Sequence, residues 1–343
     1  MTSARTDRVG APASDVLFSD DTLRIEYFRT PGGDAKKLAF IFSSFGNRIL
    51  GGGAAGASYL MEDGFDVVRF STVANDWFQT MPEAVLDRVD EVARAGGYTW
   101  RAALGSSMGG YAAICFSARL RVDIVLAYGP QYRVSGWNDL RFAPVADKLI
   151  WKYLITSDSI GDHCRYCFIY DSKDFDCEHV QALRALIGAD RVDDVALPYA
   201  GHTTMFFLHE VGRLQDVARA VLNGEKVSAR DLRRDRRRSR QYLTTLSTAL
   251  APKHPRLSAR VRALAGPSYE PHGLVRRALD AKAPPIAALA MKIEILRLRR
   301  MGFDAEFYRQ INWDIEVAGA DPYDHYVRHG WRQGRLTRFR KTR

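Results

Sequence analysis

A serine stands at the centre of a short motif with a glycine at each end. Residues 105–109 read Gly-Ser-Ser-Met-Gly, which matches the pattern Gly-x-Ser-x-Gly with Ser107 in the middle. An apolar segment, AALG, precedes the serine, and a helix-forming segment, GYAAICFSARL, follows it. A sharp turn from strand to helix would strain the serine backbone and expose its hydroxyl, and the glycines would prevent clashes. The motif predicts that Ser107 is a nucleophile; a purely structural turn is the alternative.

A nucleophilic serine in this setting needs an acid and a base, which should follow it in the chain after later strands. The run YCFIY (166–170) leads into a loop with three aspartates. We predict Asp174 as the acid, because it stands about four residues past the strand, where the loop would reach over the sheet edge. Asp176 is the alternative, although its position also suits a helix N-cap, and Asp171 resembles a turn residue. His202 follows Gly201 just after the last predicted strand, and we predict it as the base.

Acyl transfer through a serine also needs donors that stabilise a negatively charged oxygen. One donor would be the backbone amide of Met108, the residue after the nucleophile. The second would come from the loop Ser-Ser-Phe-Gly-Asn at 43–47, where we predict the amide of Phe45, with Ser44 as the alternative and an ordinary turn as the non-functional interpretation. This chemistry requires no metal and no cofactor.

A further loop is expected on the rim of the same site. Asn75, Trp77 and Gln79 follow a predicted strand, and an aromatic face is suited to pack against a sugar ring or an acyl chain. We predict that these three residues line the substrate pocket, with loop packing as the alternative.

The elements that must position these residues alternate along the chain. Strands are predicted at 23–29, 37–43, 65–70, 100–104, 122–127, 166–170 and 192–197, and helices at 52–62, 82–95, 109–120, 176–188 and 205–222. Such alternation indicates right-handed βαβ units, and hence an α/β fold of three layers around a mostly parallel sheet. Segment 131–163 interrupts the alternation and is a candidate lid over the site.

Charge divides the chain of 343 residues into two parts. Residues 1–224 carry 23 Lys and Arg against 28 Asp and Glu, whereas 225–343 carry 27 against 12. We predict a polar leader at 1–19, a catalytic domain at 20–224, a basic, proline-punctuated linker at 225–285, and a small helical module at 286–343. The basic tail suggests an anionic partner. No nucleic-acid motif accompanies the arginine run at 229–241, which argues against nucleic acid.

The cysteine content and the hydropathy of the sequence indicate the cellular location of the protein. Four cysteines do not form a disulfide scaffold in a chain of this length, and neither a signal-like apolar run nor a membrane-spanning stretch is seen. The expected location is the cytoplasm. Cys164, Cys167, Cys177 and His179 could be written as a zinc site, but their spacing is irregular and Cys167 lies within the apolar strand, so no metal is predicted.

Over about residues 20–222 the chain resembles the α/β-hydrolase superfamily, through GSSMGGYAA, the late Asp loop and the terminal Gly-His. SSFGN (43–47), NDWFQ (75–79) and Gly-Pro-Gln (129–131) are similar to bacterial hydrolase-like proteins of surface-glycan biosynthesis. Residues 303–335 resemble a short module found with bacterial glycosyltransferases, with Trp313 and Gln333 departing from its pattern. These resemblances imply a serine esterase, deacylase or O-acyltransferase that acts on a surface polysaccharide or its precursor. The alternative is a catalytically silent protein that binds glycan or takes part in assembly.

Overall fold

The computed structural model describes residues 14–33, 35–51, 57–266, 269–280, 284–333, 335, 337 and 338 of the chain. The predicted helix at 52–62 is therefore described only from residue 57 onwards. The outermost part of the predicted leader, 1–13, lies outside the described residues.

One eight-stranded sheet organises the first two thirds of the chain, with strand order β1-β2-β4-β3-β5-β6-β7-β8. β2 pairs antiparallel with β1 and β4, and the other pairs are parallel. The apolar runs predicted as central strands are buried on both faces, as parallel sheets require. The strands are β1 (Ser14–Ser19), β2 (Leu23–Phe28), β3 (Lys37–Phe42), β4 (Phe65–Thr72), β5 (Trp100–Ser106), β6 (Ile124–Tyr128), β7 (Arg165–Tyr170) and β8 (Val192–Ala196).

Helices cover both faces of this sheet and continue to the C-terminal region. In the part of the chain that contains the sheet, which we call the sheet domain, they are α1 (Ser58–Glu62), α2 (Glu83–Ala95), α3 (Met108–Cys115), α4 (Ala143–Ala146), α5 (Asp176–Ile187), α6 (Thr204–Glu210) and α7 (Leu214–Leu222). Beyond it follow α8 (Ala229–Leu232), α9 (Arg240–Leu250), α10 (Pro255–Leu264), α11 (Gly273–Asp280), α12 (Pro284–Arg300), α13 (Ala305–Ile311), α14 (Trp313–Val317) and α15 (Pro322–His325).

Two apolar clusters, one on each face, make the domain a three-layer sandwich. Helices α2, α3 and α5 pack on one face, with Val85, Ile114 and Leu183 among their buried residues. Helices α1, α6, α7 and α9 pack on the other face, through residues such as Phe207 and Leu243. Each fully buried side chain of this size contributes about 1.5–3 kcal/mol. The predicted α/β architecture with a mostly parallel sheet is confirmed.

The boundaries predicted from composition need three corrections. Residues 14–19 of the predicted leader form β1, so Leu23–Phe28 is the second strand rather than the edge. The single helix predicted at 205–222 is two helices, because Gly212, with φ of 72°, reverses the chain between them. The described part of segment 225–285, predicted as a basic, proline-punctuated linker, contains four helices, and α9 contributes buried residues to one face of the sheet.

The C-terminal helices have a small core of their own and also pack against the sheet domain. Their core includes Leu298, Phe303, Tyr308 and Tyr326. In the part of the chain that the structure describes, no helix combines the length and the apolar character that crossing a membrane requires.

Contacts between the C-terminal helices and the sheet domain are aromatic and ionic. The ring of Phe307 lies 4.9 Å from that of Phe206, and the ring of Trp313 lies 4.8 Å from that of Phe142. Glu316 forms an ion pair with Arg48. Helices α13 and α14 are therefore held over the carboxyl ends of the central strands, where β5 leads into Ser107.

Candidate active site

Ser107 occupies a strained turn between β5 and α3. Its backbone has φ of 53° and ψ of −115°, a conformation that non-glycine residues rarely adopt. The flanking glycines are needed for space: a Cβ at Gly105 would lie 2.2 Å from the backbone of Gly109, and a Cβ at Gly109 would lie 2.5 Å from the carbonyl oxygen of Phe42. The sequence motif thus forms the strand-to-helix turn expected of it.

His202 meets this serine from the loop after β8. Its Nε2 lies 2.8 Å from Oγ of Ser107. Gly201, with φ of 75°, turns the loop back toward the sheet. The side-chain amide of Gln241, on α9, donates to the carbonyl oxygens of Ala200 and Thr203 on either side of the histidine, the latter at 3.0 Å. A helix beyond the predicted domain boundary therefore fixes the position of the histidine.

Asp176, rather than Asp174, contacts His202. The Oδ1 and Oδ2 atoms of Asp176 lie 2.8 and 3.0 Å from Nδ1 of the histidine, and the carboxylate is fully buried. The side chain of Asp174 is 32% exposed and bonds to Arg141 instead. The prediction of Asp174 is wrong, because the loop closes as a turn at Asp171 and Asp174, so that the first residue of α5 faces the histidine.

Asp171 has a different task, which is to join two loops. Its carboxylate accepts hydrogen bonds from the amides of Lys173, Tyr199 and Gly201, each at 2.8 Å. These bonds hold the loop after β7, which leads to Asp176, and the loop after β8, which carries His202, in fixed positions relative to each other. The prediction that Asp171 acts as a turn residue agrees with these contacts.

Arg141 contacts the triad acid from behind. Its guanidinium donates to Oδ1 of Asp176 at 2.9 Å and to Oδ1 of Asp174 at 3.0 Å, and it is mostly buried. Burial by itself raises the pKa of the Asp176 carboxyl, but His202 and Arg141 outweigh burial and hold this pKa below its usual range. Asp176 is therefore charged and ready to stabilise an imidazolium on His202.

A second buried carboxylate holds Arg141. Asp139 forms several bonds to its guanidinium, including one of 2.8 Å, and lies 2.9 Å from Nε2 of His179. Burial raises the pKa of Asp139, but the bonds from His179 and Arg141 lower it well below its usual range. Since Asp139 and Arg141 belong to segment 131–163, this segment supports the triad acid. It contributes none of the described residues that line the cavity at Ser107, so the predicted lid role is not supported.

The hydroxyl of Ser107 faces a cavity of about 280 Å³, which we call the serine cavity. Its walls are largely apolar and come from α6, α7 and the C-terminal helices: Met205, Phe206, Leu214, Phe307, Ile311 and Trp313. The C-terminal helices α13 and α14 thus supply the cover that the sequence assigned to 131–163. Nothing in the local sequence pattern indicates this, because the contacts join residues that are about 100 to 270 positions apart in the chain.

The predicted oxyanion donors lie in the right region. Ser44 and Phe45 line the serine cavity beside Ser107, and Met108 begins α3, where backbone amides have no partner within the helix. The amide of Gly46 is already used, since it donates to Oδ1 of Asn75 at 2.8 Å. Met108 and Phe45, with Ser44 as the alternative, stay predictions for this role.

The predicted rim residues do not line the serine cavity. Trp77 is fully buried and donates to Gln131 at 2.8 Å, and the Gln79 side chain bonds to the backbone of Tyr153. Asn75 bonds to Glu316 at 3.1 Å as well as to Gly46. The structure does not bring these three side chains to the serine cavity, because Asn75 bonds to the 43–47 loop and to α14, whereas Trp77 and Gln79 bond to segment 131–163.

Among the described residues, no group of His, Cys, Asp and Glu side chains has an arrangement that could hold a metal ion. The former zinc candidates Cys164 and Cys167 are buried, and His179 is occupied by Asp139 and by the amide of Tyr132.

The sheet order, the strained serine and the loops after β7 and β8 together define the α/β-hydrolase fold. No protein family model matches the sequence, and no curated protein matches it. Solved structures that resemble it include an α/β serine hydrolase from Xanthomonas campestris, with 18% identity, coverage of 62% of this chain and 93% of the other, and a TM-score of 0.37.

Two further solved structures have similar scores. A propionate-bound esterase 2 from Thermogutta terrifontis has 13% identity, coverage of 64% and 94%, and a TM-score of 0.44. A dienelactone hydrolase from Anabaena variabilis has 14% identity, coverage of 62% and 96%, and a TM-score of 0.39. Similarities this distant say nothing about the activity of the present chain, which has to be argued from its own site.

Proposed function

We propose that the chain is a serine enzyme that cleaves or transfers carboxylic esters. The observation that carries this proposal is the hydrogen-bonded series from Ser107 through His202 to Asp176, which opens into an apolar cavity. A serine hydroxyl is a weak nucleophile until a base removes its proton, and the 2.8 Å contact supports His202 as that base.

The reaction follows from this geometry in two steps. Oγ of Ser107 forms a bond to the ester carbonyl carbon while its proton passes to Nε2 of His202. The tetrahedral intermediate then collapses, the bond from carbon to the alcohol oxygen breaks, and the alcohol leaves with the proton from His202. Water or an acceptor hydroxyl attacks the acyl-serine with His202 as base, which releases a carboxylic acid or a new ester and restores Ser107.

For the substrate, we propose an acyl ester on a bacterial surface polysaccharide or on its precursor. The support is the similarity of SSFGN, NDWFQ and residues 303–335 to proteins of glycan biosynthesis. An anionic partner for the basic tail and a cytoplasmic location stay predictions.

The test is hydrolysis of short-chain p-nitrophenyl esters by the full chain. We expect turnover that is lost by at least about a thousandfold in Ser107→Ala, because the nucleophile is removed. Ser157→Ala is the control, since Ser157 is exposed and is not among the residues that line the serine cavity, and it should retain turnover. If wild type is no faster than Ser107→Ala, the catalytically silent alternative replaces the enzyme.

A further inference from the structure

A second cavity adjoins His202 and shares part of its lining with the serine cavity. Its volume is about 560 Å³, and it lies between the histidine loop, α9 and the C-terminal helices. His202, Thr203, Ile311 and Trp313 line both cavities. A substrate at Ser107 could therefore extend into either one.

One face of α9 forms a wall of the second cavity. We call this second cavity the threonine groove. Gln241, Thr244, Thr245 and Thr248 recur at the spacing of a single helix face, and all four line the groove. The backbone carbonyl of Thr244 accepts bonds from Ser247 and Thr248. The hydroxyls of Thr244 and Thr245 have no hydrogen-bond partner within the described part of the chain, and both residues are half-buried. These two hydroxyls are free to bind a ligand.

The charged groups at the groove are already paired, so the groove does not select an ion. Arg335 donates to Asp314 at 2.9 Å and through a second, shorter bond of 2.6 Å. Asp174 is paired with Arg141. The lining that remains consists of neutral donors and acceptors together with the half-buried Trp313. Hydroxyls and amides exchange hydrogen bonds with neutral hydroxyl groups, and an indole face packs against the C–H groups of a sugar ring.

We propose that the threonine groove binds a neutral, polyhydroxylated alcohol portion of the ester, of the size of a sugar unit, while the acyl portion enters the serine cavity. This inference rests on the proposed ester chemistry, because His202 links the two cavities and would give its proton to the alcohol oxygen that leaves through the groove. It also assigns the region beyond the catalytic domain a part in substrate selection, since both α9 and Trp313 belong to that region.

The test compares two acetate esters that differ only in the alcohol. One is p-nitrophenyl acetate, and the other is a mono-acetylated methyl glycoside, used as the glucoside, the galactoside and the mannoside. The variant is the double substitution Thr244→Val and Thr245→Val, which keeps the volume and removes both free hydroxyls. We expect kcat/KM for the best acetylated glycoside to fall about tenfold, from the loss of two neutral hydrogen bonds. For p-nitrophenyl acetate it should change less than about twofold.

The matched control is Thr99→Val, because Thr99 is exposed and directly precedes β5, at the opposite end of the strand from Ser107. It should leave both esters unaffected. Equal losses for the two esters in the double variant, or no loss for any glycoside ester, would overturn the proposal.

A binding measurement separates the groove from the chemistry. Binding of the three unacetylated methyl glycosides to Ser107→Ala is followed by NMR titration, with and without the double valine substitution. If wild type hydrolyses no ester but a glycoside binds and the valines weaken it, the ester chemistry fails and the groove assignment stands. If no glycoside binds, or if the valines leave binding unchanged, the groove assignment fails whatever the esterase assay shows.

Discussion

Replacing Asp176 by Asn removes the charge from the triad acid with almost no change of volume. The carboxylate is fully buried and touches Nδ1 of His202 with both oxygens, so it is the group placed to stabilise the imidazolium. Removal of the equivalent charge from a serine triad costs about 10⁴ in kcat. At about 1.4 kcal/mol per tenfold change, this corresponds to about 5.5 kcal/mol of transition-state stabilisation.

The assay is kcat for an activated ester, measured alongside Asp174→Asn as the matched control. The Asp174 side chain is 32% exposed and pairs with Arg141, which keeps Asp139 in either variant. We expect Asp174→Asn to stay within about threefold of wild type. A large loss in Asp174→Asn with a small loss in Asp176→Asn would refute the assignment of the acid.

Three further predictions concern stability. Arg141→Gln should lower the free energy of unfolding by about 3–5 kcal/mol in urea titrations, because the buried carboxylates of Asp139 and Asp176 lose their cation; a loss under 1 kcal/mol would contradict it. Gly105→Ala should lower the free energy of unfolding by about 3 kcal/mol or more, because the added Cβ would lie 2.2 Å from the backbone of Gly109. Gly273→Ala is the control and should be nearly neutral, since the nearest atom to its Cβ would lie 3.9 Å away. Equal unfolding midpoints for the two variants would contradict this prediction. The pKa values of Asp139 and Asp176 are lowered in the folded chain, so their contribution to stability is complete above the ordinary aspartate pKa of about 3.9 and is lost as the pH falls below that value. Thermal unfolding measured from pH 6 to pH 2 should show this loss of stability. In Asp139→Asn the loss of stability over the same pH range should be smaller.

The sequence predicted seven of the eight strands, all but β1, and it singled out Ser107 and His202, which the structure brings together. Ser107 and His202 could be found because the glycine-flanked turn and the Gly-His after the last strand are local patterns with a physical reason. The choice between Asp174 and Asp176 could not be made in the same way. The choice depends on how tightly the chain turns between Asp171 and Asp174. The periodicity of strands and helices does not predict the conformation of a turn, so it cannot distinguish two aspartates that are two positions apart.

The residues that support the triad acid and those that cover the serine cavity could not be predicted from local sequence patterns. Arg141 lies in a segment without regular pattern, and its role depends on three carboxylates that the fold brings to it from two segments. Trp313 and Phe307 reach the serine cavity only because the C-terminal helices pack on the catalytic domain. Charge composition indicated a separate basic tail there, and it gave no signal that part of the tail completes the site.

The central claim is that Ser107 is an activated nucleophile, and a fluorophosphonate probe tests it most directly. Incubation of the full chain with the probe, followed by peptide mass spectrometry, should give one adduct per chain, located on Ser107. Labelling should be abolished in Ser107→Ala and strongly slowed when His202 is replaced by Ala. An unlabelled wild-type chain, or an adduct that persists in Ser107→Ala, would contradict the account.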